Sequence, residues 1–208
     1  LGEKSALKPL LKALRDEILE RRAIEPLGGI KHRRVIKVLI KLLRDDKDYI
    51  RHNAINALGA IGNKKAVVPL LELLETEKNN NMQDRIISAL GMIGDKKASQ
   101  NIVVFLNHNN SQTRIKAAEA LIKIAAPDSA VALVDALEDK EYIVRNYAYK
   151  ALRKITKVDC GHYPDAWRLW IERNRIPETE EPEEEEIGVL KRIHLFLIDL
   201  LWDIWMWF

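Results

Sequence analysis

Apolar residues recur along this chain with two periods at once, one of three to four residues and one of about 31. Leu58, Leu90, Leu121 and Leu152 follow one another at spacings of 32, 31 and 31 residues. Each is preceded by alanine (Ala57, Ala89, Ala120, Ala151) and followed three places on by isoleucine (Ile61, Ile93, Ile124, Ile155). Within one unit Ile50, Ala54, Ala57, Leu58 and Ile61 fall on one face of a helix, with small residues where a second backbone can approach. Gly62 and Asn63 predict a break, after which Val67, Leu70, Leu71 and Leu74 resume the helical period. The break recurs at Gly94 and Asp95, and the second helix recurs as Ile102, Val103 and Leu106, with polar turns expected at residues 79–81 and 107–111. The unit is therefore a two-helix hairpin. A hairpin of this size cannot cover both of its apolar faces, so neighbours must stack around a continuous core. The expected fold is an all-α solenoid of about four to five hairpins.

The ends of such a stack need covers. Leu27 and Ile30 continue the register one unit earlier, with Pro26 where the alanine would stand, so the first unit is degenerate. Leu7, Leu10, Leu11, Leu14 and Ile18 predict an N-terminal capping helix that begins near Ser5 and stops before Pro26. At the other end Pro164 and Asp165 stand where a helix begins, and Trp167 and Trp170 follow three apart on it. That tryptophan pair is expected to cover the core of a closing helix and not to hold a ligand.

The repeat frame, carried most fully by residues 48–62 and echoed around Leu90, Leu121 and Leu152, resembles the short HEAT-like repeats first associated with phycobilisome lyases and common in bacterial scaffold proteins. The resemblance covers roughly residues 23–175 and implies a fold more than a function. Arg51, Arg114 and Arg145 share one register position, which Gln83 occupies in the second full unit. In similar repeats such an arginine pairs with an acidic residue of a neighbouring unit, and this internal ladder is the reading preferred over an anion-binding row. Some HEAT-like solenoids are lyases or DNA glycosylases, so the resemblance also implies an accessory, lyase-like role toward a cofactor or chromophore as an alternative. It carries over no catalytic residue.

Composition narrows the classes further. With 47% apolar and 31% charged residues in 208, the chain has enough to bury a core and is neither disordered throughout nor an ordinary membrane bundle. A single cysteine removes an internal disulfide framework. The net charge of +3 hides an asymmetry: residues 1–176 hold 32 basic and 22 acidic side chains, residues 177–208 two and nine. The division expected is a solenoid with caps over 1–176, an acidic extended linker over 177–186 with seven glutamates, and an apolar terminus over 187–208. No basic-then-apolar signal sequence is visible near Leu1, which leaves the native start open. Localisation is left unassigned, with a cytoplasmic or membrane-peripheral place favoured.

Sixteen of the 22 residues in 187–208 are Ile, Val, Leu, Phe, Met or Trp. As a helix the segment would extend about 33 Å, near the thickness of a bilayer core, but Asp199 close to its middle costs about 3 kcal/mol there. Lys191, Arg192, Asp199 and Asp203 fall within about 120° of one another on a helix. The expectation is an amphipathic docking helix that meets a partner protein or a membrane surface through Leu197, Leu201, Trp202, Trp205 and Trp207, or folds back on the solenoid as an extra cover.

Catalytic chemistry finds little support. The five histidines, at 32, 52, 108, 162 and 194, make no His-x3-His pair, and no Cys-x2-Cys exists, so neither a metal nor a cofactor is expected. Cys160 and His162 lack an orienting third group and read as turn residues. Gly59 and Gly62 belong to no phosphate-loop motif and read as turn or close-packing glycines. Nucleic acid is the rival partner, because Lys31, Arg33, Arg34, Lys37, Lys41 and Arg44 form a dense basic cluster. Later second helices carry Glu72, Glu75, Asp135 and Glu138 instead, which breaks any continuous basic groove. The function expected is a non-enzymatic protein-binding scaffold or adaptor that uses this cluster and the apolar terminus.

Overall fold

The computed structural model describes residues 33–174. The capping helix expected near Ser5, the degenerate first unit, Lys31, the acidic stretch 177–186 and the docking segment 187–208 with Leu197, Leu201, Trp202, Trp205 and Trp207 lie outside the described residues. The described residues are helical and contain no strand. The elements are α1 (Arg33–Leu42), α2 (Asp48–Ile61), α3 (Val67–Thr76), α4 (Asn80–Ile93), α5 (Ser99–Val103), α6 (Ser111–Ile124), α7 (Ala130–Asp135), α8 (Tyr142–Thr156) and α9 (Pro164–Asn174). Three-residue 3-10 turns open each of the middle second helices, at Lys64–Ala66, Lys96–Ala98 and Pro127–Ser129. The second helices α5 and α7 also finish as 3-10 turns, at Val104–Asn107 and Ala136–Glu138, so they are shorter α-helices than the sequence pattern alone suggests.

The even-numbered helices are the first helices of the hairpins, and they pack on one another in order. Their Ala-Leu pairs are fully sequestered: Ala57, Leu58, Ala89, Leu90, Leu121, Ala151 and Leu152 have no exposed surface. Close approach explains the neighbouring glycines. A Cβ on Gly59 would lie 2.9 Å from the Cα of Ala89, and one on Gly91 only 2.8 Å from the Cα of Ala120, so any side chain there forces adjacent backbones apart. Buried residues from Val35 to Trp167 form one apolar cluster that runs through every unit. This is a stack of hairpins around a shared core.

The helix breaks obey a common geometry that the sequence spells only twice. Gly62 and Gly94 end α2 and α4 with positive φ, as their residue type allows. Ala125 (φ 49) and Lys157 (φ 63) occupy the same position after α6 and α8 and take the same left-handed conformation. Each of these four residues donates its backbone N–H to a carbonyl four residues earlier, among them Leu58, Leu90 and Leu121. A side chain at such a φ costs about 1–2 kcal/mol, partly offset in glycine by its greater freedom when unfolded. Ala125→Gly is expected to raise the unfolding free energy by about 0.5–1 kcal/mol, read as a higher urea midpoint at unchanged slope.

Candidate functional site

The register arginines stand in the first turn of the first helices, and their partners are mainly backbone. Arg51 Nη1 donates to the carbonyls of Asp45 and Asp46 at 2.7 and 3.3 Å. Arg114 Nη1 reaches those of His108 and Asn109 at 3.0 and 3.3 Å, and Arg145 Nη1 those of Asp139 and Lys140 at 2.7 and 3.0 Å. Gln83 Nε2 makes the corresponding bond to the carbonyl of Glu77 at 2.8 Å. Glutamine therefore continues the row instead of interrupting it. All four tie the start of a first helix to the turn before it.

The residue that offers its carbonyl also has a second task. Asp45, Glu77, His108 and Asp139 accept, through their side chains, the backbone N–H of the residue two places on: Lys47, Asn79, Asn110 and Glu141. Each of those residues stands at the N-cap position of the following helix, where Asn79 and Asn110 also accept helix N–H groups through their side chains. The column escapes sequence inspection because aspartate, glutamate and histidine share only an acceptor atom at the right reach.

The ladder between units forms at one register among the described residues. Arg114 clasps Asp139 through Nε at 2.7 Å and Nη2 at 3.1 Å, a two-pronged pair with both side chains nearly buried. Glu77 holds the register position of Asp139 one unit after Arg51, yet Arg51 pairs with Asp48 of its own helix while Glu77 turns to the N–H groups of Lys78 and Asn79. The arginine ladder expected from similar repeats is thus limited to Arg114. Its guanidinium is held above its ordinary pKa, first by the Asp139 hydrogen bond, against the opposing effect of burial. Burial pushes the Asp139 carboxyl up, but the Arg114 hydrogen bond, the Glu141 N–H and nearby positive charge outweigh it and leave the group below its usual value.

A surface groove of about 580 Å³ opens between α1 and α3. Ile40, Lys41, Leu43 and Arg44 line it from one side, and Pro69, Glu72, Leu73 and Thr76 from the other. Pro69 sits in the first turn of α3, where a missing N–H costs nothing. Arg44 and Glu72 meet across the rim at 3.4 Å, and because both are well exposed the pair contributes less than about 1 kcal/mol. Lys37 and Lys41 are exposed one turn apart on α1. The groove therefore joins an apolar floor to a cationic wall. Of the basic residues singled out in the sequence, Lys41 lines it, Lys37 lies one turn away, Arg33 and Arg34 belong to the first turn of α1 with side chains outside the description, and Lys31 precedes the described residues. The other wall stands about 30 residues away in sequence, and of its residues only Glu72 stood out in the charge pattern, as a break in the basic surface.

The loop before α9 holds the cysteine and histidine considered as a reactive pair. Asp159 accepts the Tyr149 hydroxyl at 2.9 Å and the Gly161 N–H at 2.9 Å, and forms an ion pair with Arg153 Nε at 3.1 Å. The His162 ring lies against Tyr149 with centroids 4.1 Å apart. These contacts engage His162 and Asp159 in fastening the loop to α8. Among the described residues no group of three His, Cys, Asp or Glu is placed to hold a metal ion, and no helix is long and apolar enough to cross a membrane.

HEAT repeats, as a family, match residues 5–84 and 67–153. A chain in the complex of CpcE and CpcF of phycocyanin lyase from Nostoc sp. PCC7120 is similar at 24% identity, over 80% of this chain and 69% of that one, with a TM-score of 0.61. A designed armadillo repeat protein in complex with the peptide (KR)4 is similar at 18% identity, over 89% and 98% of the two chains, with a TM-score of 0.54. A further designed armadillo repeat protein is similar at 20% identity, over 73% and 83%, with a TM-score of 0.51. At these identities the likeness is one of fold. No curated protein matches the chain.

Proposed function

The chain belongs to the HEAT-repeat family, and from that premise we propose that it works as a non-enzymatic protein-binding scaffold whose second-helix face takes a partner in the groove between α1 and α3. The observation that carries this reading is the groove's construction. Ile40, Leu43 and Leu73 offer desolvated contact area, while Lys41 and Arg44 on one wall and Glu72 on the other fix the orientation of a polar partner segment. A peptide-bearing solenoid of similar fold, the designed armadillo protein with (KR)4, supports a protein partner. Residues 187–208 supply a second contact in this proposal, on a partner protein or a membrane surface, through Leu197, Leu201, Trp202, Trp205 and Trp207. An accessory, lyase-like role would call for convergent buried polar groups, whereas the charged side chains of this groove stand at its rim.

The test places a photocrosslinking amino acid at position 41 in α1 and, in a separate chain, at position 150 in α8. The expected result is a discrete adduct in native extract from position 41, reduced about tenfold by Lys37→Glu with Arg44→Glu, and none of the same mass from position 150. Adducts of equal yield from both positions would remove the groove from the proposal. Flotation with anionic liposomes, comparing the full chain with one ending at Asn174, tests the terminal contact separately.

A further inference from the structure

All loops that join a first helix to its second helix emerge on one edge of the stack, because α2, α4 and α6 pack in parallel through Gly59 on Ala89 and Gly91 on Ala120. Two consecutive loops present a lysine pair at the same register, Lys64 with Lys65 and Lys96 with Lys97. The side chains of Asn63 and Asp95 accept the N–H of Lys65 and Lys97 at 3.0 and 3.1 Å, which fixes the backbone of both loops in one conformation. All four lysines are exposed. Lys64 stands 3.7 Å from the largely buried Asp95 of the next loop. No carboxylate among the described residues lies within ion-pair distance of Lys65, Lys96 or Lys97. Stacking thus fixes the backbone that carries two lysine pairs on adjacent loops, unlike lysines scattered on a flexible tail.

The chemistry that fits is a flexible acidic chain. Lysine offers point charges and not the planar fork that grips phosphate in pairs. The lysine pair is not repeated in the third loop, which carries Pro127 and an exposed Asp128 whose carboxylate takes the Ser99 hydroxyl at 2.8 and 2.9 Å, and the ends of α6 and α8 offer only the single exposed lysines Lys123 and Lys157. A nucleic-acid duplex needs a continuing series of cationic contacts, and residues 62–66 and 94–98 contain no aromatic ring for an unpaired base. An extended run of glutamates can match two adjacent lysine pairs and end there. The chain itself contains such a run, with seven glutamates in residues 177–186, which sets the charge density that this edge suits.

We propose that the edge formed by Lys64, Lys65, Lys96 and Lys97 is a docking site for an extended acidic segment of a partner protein. It shares no residue with the groove between α1 and α3, so the two proposals stand or fall apart. The test titrates a fluorescent glutamate-rich decapeptide into the full chain, and into a full chain whose own seven glutamates at 178, 180, 181 and 183–186 are changed to glutamine to remove an internal competitor. The expected result is saturable binding in at least one of these chains, weakened about tenfold between 50 and 300 mM salt. In that same background Lys64→Glu, Lys65→Glu, Lys96→Glu and Lys97→Glu together weaken it about tenfold or more, while Lys78→Glu with Lys140→Glu, on the opposite edge, changes it less than about twofold. Circular dichroism verifies that every variant remains folded. Absence of binding in both chains, insensitivity to the four loop substitutions, or tighter binding of a 20-nucleotide single strand than of the peptide would overturn the proposal.

Discussion

Trp167→Ala is expected to lower the unfolding free energy by about 4 kcal/mol, among the larger effects that one core substitution produces. Among the described residues Trp167 is the largest side chain with no exposed surface, on the helix that closes the described stack. An indole of this kind buries about 150–250 Å² and here also donates from Nε1 to the carbonyl of Gly161 at 2.8 Å. Alanine would leave both a cavity and an unpaired carbonyl in the loop that Asp159, Tyr149 and Arg153 hold together. Trp167→Phe keeps most of the apolar volume and loses the bond, so about 1–2 kcal/mol is expected from it. Urea unfolding by circular dichroism measures both, and hydrogen exchange over α8 and α9 locates the damage, because stability in a stacked fold passes mainly between neighbours. A cost below about 1 kcal/mol for the alanine variant would mean that α9 is not part of the cooperative unit.

Arg114→Ala is expected to cost about 3 kcal/mol at neutral pH, the lower end of the range for breaking a buried pair, since Arg114 and Asp139 sit just beneath the surface. Removing the guanidinium strips Asp139 of its two-pronged partner and also frees the carbonyls of His108 and Asn109. Arg145→Ala loses its carbonyl clamp without orphaning a buried carboxylate, and about 1 kcal/mol is expected. The pH dependence separates charge from packing. The folded-state pKa of Asp139 lies below its ordinary value, so its favourable contribution is complete above about pH 4 and is lost as pH falls through the depressed value. Without Arg114 its hydrogen bond and its charge no longer oppose the effect of burial and that pKa rises, so protonation relieves the variant as the solution is acidified. The difference between wild type and Arg114→Ala should therefore shrink between pH 7 and pH 3. A difference that is flat with pH would assign the cost to lost packing alone.

The hairpin unit was legible because its causes are local. Helical spacing of Ile50, Ala54, Leu58 and Ile61, a break at Gly62, and repetition of that frame by Leu90, Leu121 and Leu152 announced two-helix modules that must stack to cover their apolar sides. Gly59 was legible as a turn or close-packing glycine, whereas Gly91 shows its close approach to Ala120 only in the structure. The cationic wall of the groove was visible in the basic cluster as Lys41, in the last turn of α1, and Arg44, in the turn after it. The other wall was not, because α3 supplies it from the next hairpin.

Sequence by itself thus determined the repeat, its length, its helical class and the direction in which each module buries itself. Tertiary structure decided everything that depends on the fit between modules. It placed Ala125 and Lys157 in the backbone conformation that Gly62 and Gly94 adopt, since the stack fixes where a helix must end whatever residue stands there. It gave Gln83 the bond that arginine makes elsewhere, and it chose Arg114 alone among the described register residues to reach the next unit, where Asp139 is positioned to receive it. It also brought the two lysine loops to one edge. The reason is one of range: helical period acts over three or four residues, but partner choice acts between side chains 25 to 30 residues apart, where a single methylene or a single carbonyl decides which bond forms.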